Sequence, residues 1–185
     1  MARTRRHGAA ASTLAALLLL AGCGSAEPAP LKPIDAAVPA DLCAVVPAAA
    51  RTGLTANATT DQTGNPTAAC SLRSADGAAS QVRAVITWIQ LNDESSAGDV
   101  MASQCRSIDP QEYAAVPGFA PKGADKSCAG KGKSEDSTTM AAVHGRDVVT
   151  VRVSATPAGQ PDATTRGTAL LEGVLTSMSG ATATP

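Results

Sequence analysis

Two stretches of the chain alternate apolar and polar positions with the period of a half-buried strand. In the first, Val82, Ala84, Ile86 and Trp88 fall on one side and Val85, Ile89 and Leu91 on the other. This predicts a strand over 82–91 with both faces at least partly covered. In the second, Val149, Val151, Val153 and Ala155 alternate with Thr150, Arg152 and Ser154. With residues 138–144 before it and Gly145-Arg146 between, it predicts a tight hairpin. Residues 68–73 predict a further strand, joined to 82–91 around the turn signal Asp76-Gly77.

Helical spacing takes over elsewhere. Asp41 can cap a short helix carrying Leu42, Val45 and Val46, which Pro47 either ends or extends by a second turn through Leu54. A helix starting at Ser95 or Ser96 puts Val100, Met101, Cys105 and Ile108 on one side and stops at Pro110. Asp162 caps a last helix with Leu170, Leu171, Val174, Leu175 and Met178 on one face and Gly180 at its end. Residues 55–67 read as a loop rich in Thr, Asn, Gly and Pro, and 109–137 as a long connection. The expected fold is α+β: an antiparallel sheet of about four strands with helices packed on it.

Composition makes that core thin. Leu, Ile, Val and Phe total 31 of 185 residues, about 17%, against 39 Ala; that level accompanies disorder when net charge is high. Here the net charge is −1, so a folded domain is allowed. Three aromatic residues cannot form a stacking platform, and 15 basic against 16 acidic residues leave no overall excess for a polyanion, so nucleic acid is not an expected partner.

The N-terminus sets the compartment. Arg3, Arg5 and Arg6 precede an apolar run from Gly8 to Leu20 that is too short to span a bilayer core, which needs roughly 20 residues. Leu20-Ala21-Gly22-Cys23 then resembles the lipobox of bacterial lipoproteins. The resemblance implies a signal peptide over 1–22, cleavage before Cys23, a lipid on its sulfur, and residence on the extracytoplasmic face of the cell membrane. The mature chain would carry 12 basic and 16 acidic residues, a net −4, so charge alone would not hold it to anionic headgroups. Residues 23–38 read as a lipid-anchored tether in which Pro28, Pro30 and Pro33 favour extended backbone. At about 3.1 Å per residue, such a spacer reaches roughly 45 Å. A single domain over 39–180 and a frayed tail over 181–185 complete the chain.

Beyond Cys23 lie Cys43, Cys70, Cys105 and Cys128. An even number of cysteines in an exported domain reads as a disulfide framework. Three pairings are open; Cys43–Cys70 with Cys105–Cys128 closes the shorter loops and is the expected one. Their spacing fits no zinc module, and His144 is the sole histidine after residue 22, so no metal and no cofactor are expected.

The segment Asp41-Leu42-Cys43-Ala44-Val45-Val46-Pro47 resembles the opening of a group of actinobacterial lipoproteins with an uncharacterised domain. Cys70-Ser71-Leu72 and Val116-Pro117-Gly118-Phe119 are similar to their later elements, over residues 40–178. The resemblance implies a fold and a place at the membrane, and brings no activity or catalytic residues.

Candidate chemistry is sparse. No nucleophile-elbow, zincin or phosphate-loop motif is present. His144 could serve a Ser–His–Asp relay, but a single histidine beside a turn is ordinarily a solvated polar residue. The acid pairs Asp93-Glu94 and Glu135-Asp136 read as solvated surface. Within 109–137, Tyr113, Phe119, Lys122 and Lys126 form a candidate ligand or partner surface. The alternative is that the aromatics cover an edge of the core. The expected function is a non-catalytic binding or accessory module taking an envelope protein or small ligand. An envelope hydrolase using His144 and a purely structural lipoprotein are the alternatives.

Overall fold

The structure, a computed structural model, describes residues 38–158 and 161–180. The leader, Cys23, most of the tether and the tail lie outside the described residues. Asp41 caps helix α1 (Leu42–Val45), its Oδ1 accepting from the Ala44 N–H at 3.1 Å. Pro47 then opens a 3₁₀ turn, Ala48–Arg51. Three strands follow: β1 (Leu54–Asp61), β2 (Thr67–Ser74) and β3 (Gln81–Gln90). Helix α2 (Glu94–Arg106) leads to β4 (Tyr113–Ala115), β5 (Lys126–Gly132), β6 (Asp136–His144) and β7 (Asp147–Thr156), and helix α3 (Ala163–Gly180) closes the domain.

The fold is α+β with one antiparallel sheet and helices packed on it, as expected, but the sheet has seven strands rather than about four, in the order β1-β2-β3-β7-β6-β5-β4. The additional strands lie where loops were expected. Residues 54–61 pair along their whole length with β2, and the 109–137 connection supplies β4 and β5. All three lie at the sheet's margins. β1 buries none of its residues, and the alternation of Leu54, Ala56 and Ala58 with Thr55, Asn57 and Thr59 rests on one large apolar side chain and two alanines, a weak strand signal. β5 is written Lys-Ser-Cys-Ala-Gly-Lys-Gly, with two glycines where strand-forming side chains would be looked for. At Gly130 a Cβ would lie 2.6 Å from the Ile108 Cγ2 and 3.0 Å from the Tyr113 Cβ. The glycine is required by the close approach of neighbours on that face.

The sheet has two unequal faces. Ala68, Cys70, Leu72, Val82, Ala84, Ile86, Trp88, Met140, Ala142, Val149, Val151 and Val153 form one, all buried beneath α1 and α3. Leu170, Leu171, Val174, Leu175 and Met178 of α3 complete this core, at the positions the helical spacing predicts. On the other face α2 covers one end only, where Leu91, Ala97, Met101, Val143 and Val148 make a second cluster. Asp93 caps α2, its Oδ1 accepting from the Ser96 N–H at 2.8 Å.

Both disulfides have the expected pairing. Cys43–Cys70 pins α1 to β2 inside the main core, and Cys105–Cys128 ties α2 to β5 across the second face. Among the described residues, the buried core and both bridges lie between residues 38 and 178.

Candidate functional site

The four residues of the expected ligand surface are divided by the sheet. Tyr113 begins the edge strand β4, and Lys126 is exposed at the start of β5. Phe119 packs against the main core, and its carbonyl accepts from Ser127 Oγ at 2.7 Å. Lys122 alone enters a concave site, and it does so on the α3 side.

That site is a groove of about 730 Å³ between the 3₁₀ turn and the outer flank of α3. Pro47, Ala50, Ala169 and Gly173 supply apolar lining, while Lys122, Arg166 and Glu172 supply charge. Two glycines allow its walls to approach the helix. A Cβ on Gly173 would lie 2.2 Å from the Pro47 Cδ, so glycine lets the start of the 3₁₀ turn rest on the helix. Gly123 has φ +88°, and a Cβ there would lie 3.2 Å from that of Leu175. The adjacent loop is clamped by the Lys122 N–H, which donates to Glu172 Oε1 at 2.9 Å. One wall therefore comes from a residue near the N-terminal end of the domain and another from the loop before β5. Their convergence could not be read from sequence spacing; the signal available was Gly173 inside the helix, between Leu170-Leu171 and Val174-Leu175 of its apolar stripe.

His144 ends β6, and its Nδ1 faces Asp125 Oδ2 at 3.9 Å in an exposed pair. The same Asp125 oxygen accepts from the Gly145 N–H at 2.7 Å. Ser127, close to Asp125 in the chain, directs its hydroxyl to Phe119 rather than to the imidazole. The arrangement fastens the β6–β7 turn, and the relay reading gains no support from it. Asp93-Glu94 supplies the α2 cap, and the Asp136 Oδ1 accepts from the Ala163 N–H at 2.9 Å. These acids serve helix starts. Among the described residues, no group of three His, Cys, Asp or Glu side chains could hold a metal ion, and no helix is long and apolar enough to cross a membrane.

Asp147, beside the turn, is buried and accepts from Trp88 Nε1 at 2.8 Å. Burial pushes its carboxyl above the ordinary value of 3.8, opposed by hydrogen bonds from Trp88 and Gln90 and by the charges of Arg146 and His144. The folded protein thus holds this proton more tightly than the unfolded chain. The stability contributed by this group declines as pH rises from about 3.8 through the folded pKa. Asp93 and Asp162 behave oppositely, held low by the backbone and hydroxyl donors of Ser96 and Thr165 respectively. Their contributions are present above 3.8 and fade as pH falls through their folded values. Urea melts from acid to neutral pH are expected to show wild type losing stability relative to Asp147→Asn as pH rises. A flat difference would mean that the carboxyl is not strained by its burial.

The groove is open to solvent, its lining mostly apolar with three charged side chains, Lys122, Arg166 and Glu172. No family model matches the chain, and neither the curated proteins nor the solved structures contain a match.

Proposed function

We propose that the protein is a lipid-anchored binding module of the cell envelope, attached to the extracytoplasmic face of the membrane through Cys23. Its ligand seat is the groove between the 3₁₀ turn and α3. The observation that supports this reading is the groove's combination of volume, about 730 Å³, with an apolar floor and the charged trio Lys122, Arg166 and Glu172. A pocket of that size suits a small amphiphilic molecule whose apolar body lies on Ala169 and Pro47 and whose charged group meets Lys122 or Arg166. The lipobox-like Leu20-Ala21-Gly22-Cys23 supplies the address.

Mass measurement on the protein extracted from its membrane tests both halves. The expected chain begins at Cys23 and carries acyl groups. Under native conditions it retains a small ligand that the Ala169→Trp variant lacks. Ala169 is exposed on the groove floor, so the indole fills the seat without entering the core. An unacylated chain would overturn the anchor; equal ligand retention by both forms would overturn the groove.

A further inference from the structure

The face of the sheet left open by α2 gathers arginines. Arg73 on β2 stands directly opposite Arg83 on β3. Arg83 pairs with Ser154, and Arg152 lies two residues along the same strand, opposite Val85. All three arginines point to the same side and are exposed. The direct pair stands about 5 Å apart between Cα atoms, and the diagonal neighbour roughly 7–8 Å away. Thr55, Asn57 and Ser71 line the adjoining shallow groove, of about 650 Å³. Val85, amid the arginines, is the one large hydrophobic residue exposed among those described, at 44%.

Like charges directly opposite each other on a sheet are destabilising, and no ion pair among the described residues offsets these. The ion pairs among the described residues are Lys131–Asp162 and His144–Asp125, and neither involves the cluster. Asp76 in the β2–β3 turn and Glu135 before β6 lie at this end of the sheet and form no ion pair with the arginines, and Asp136, at the start of β6, accepts from the Ala163 N–H. A chain with an acidic mature balance has thus segregated three guanidinium groups around an apolar side chain.

We infer that this face docks on the phosphate headgroups of anionic phospholipid in the membrane to which the protein is anchored. The inference rests on the anchoring reading above. Guanidinium forks pair bidentately with phosphate oxygens, and an exposed valine suits the headgroup boundary. Each basic group near an anionic bilayer favours it roughly fivefold, so three give about a hundredfold. That is too little to recruit a free protein, but it suffices where a tether holds the domain at an effective concentration of about a millimolar. Docking turns α3, on the opposite face of the sheet, and its groove away from the membrane.

The test couples the chain from residue 23 onward to vesicles through the Cys23 thiol, the one cysteine outside the disulfides, using a maleimide lipid. Phenylglyoxal modification is then mapped by peptide mass on phosphatidylcholine vesicles with and without phosphatidylglycerol. At low salt, Arg73, Arg83 and Arg152 are expected to react at least about tenfold more slowly on phosphatidylglycerol, with protection lost at high salt and Arg51 and Arg166 unchanged. Arg83→Gln combined with Arg152→Gln should remove the protection of Arg73. Equal rates on the two vesicle types overturn the inference. So does equal protection of the uncoupled protein by free glycerol phosphate, which would make the face a seat for soluble anions. Because the coupling is chemical, these outcomes are separate from the anchoring reading, which stands or falls on native acylation of Cys23.

Discussion

Replacing Cys43 and Cys70 together by alanine is expected to lower unfolding free energy by about 3–5 kcal/mol, read as a shift of the urea midpoint. The bridge joins positions 27 apart, and closing a loop of that length removes about 3.5 kcal/mol of chain entropy from the unfolded state. Both sulfurs are also buried, Cys43 at 4% exposure and Cys70 at 0%, so their removal leaves a void between α1 and β2. The domain is of a size whose net stability is typically about 5–15 kcal/mol, so this variant approaches the threshold of folding. Removing Cys105 and Cys128 should cost less, about 3 kcal/mol. That loop is similar in length, spanning positions 23 apart, but its cysteines are only half-buried and less packing is lost. Equal midpoints for the two double variants would show that loop entropy dominates and that core packing at Cys43 contributes little.

Trp88→Phe is expected to destabilise by about 2–3 kcal/mol at neutral pH, more than the lost ring volume explains. The indole N–H is a direct donor to the Asp147 carboxylate at 2.8 Å, and Asp147 lies under the end of the β6–β7 hairpin with little access to water. Removing the donor strands a buried charge, whose desolvation is then opposed mainly by Gln90 and by the charges of Arg146 and His144. The loss should shrink in acid, where Asp147 is protonated, and in the Asp147→Asn background, where no charge remains. Circular-dichroism melts of the four forms make a double-mutant cycle. A coupling near zero would show that the hydrogen bond does not offset the burial.

The parts of the fold that were legible in the sequence are those that bury one complete face. The strand carrying Val82, Ala84, Ile86 and Trp88, the 145–146 hairpin, and α3 with its Leu-Leu-Val-Leu-Met stripe all have periods set by contact with the same core. Two of the three helix caps were equally readable, because an Asp beside the first turn satisfies local N–H groups whatever surrounds it; Asp41 and Asp162 act at the expected positions, whereas α2 starts at Glu94 under Asp93, ahead of the expected Ser95 or Ser96. The strands at the margins were not legible. In β1, eight residues pair with β2 although none is buried. Its alternation of Leu54, Ala56 and Ala58 with polar residues is carried mostly by alanine, so what extends the segment is chiefly the hydrogen-bonding edge of β2. The candidate surface of Tyr113, Phe119, Lys122 and Lys126 was drawn from one stretch of sequence, and the fold separated it: Tyr113 lies on β4, Lys126 on β5, Phe119 packs against the main core, and Lys122 lines the groove on α3.

Charge shows the same division. The totals of 15 and 16 are properties of the chain, and they exclude a protein that is basic throughout. Arg73 and Arg83 are neighbours across a turn but Arg152 is some seventy residues on, and the registers β2–β3 and β3–β7 bring all three to one open face. The sequence by itself determined the α+β class, the period of each core element, the caps of the first and last helices and the cysteine framework, because these depend on residues within a few positions of one another or on a count. Tertiary structure alone decided the seven-strand sheet, the seating of Pro47 against Gly173, and the arginine face, because each depends on which strand edge or helix flank meets which. That choice is made by long-range packing, for which a linear pattern carries no coordinate.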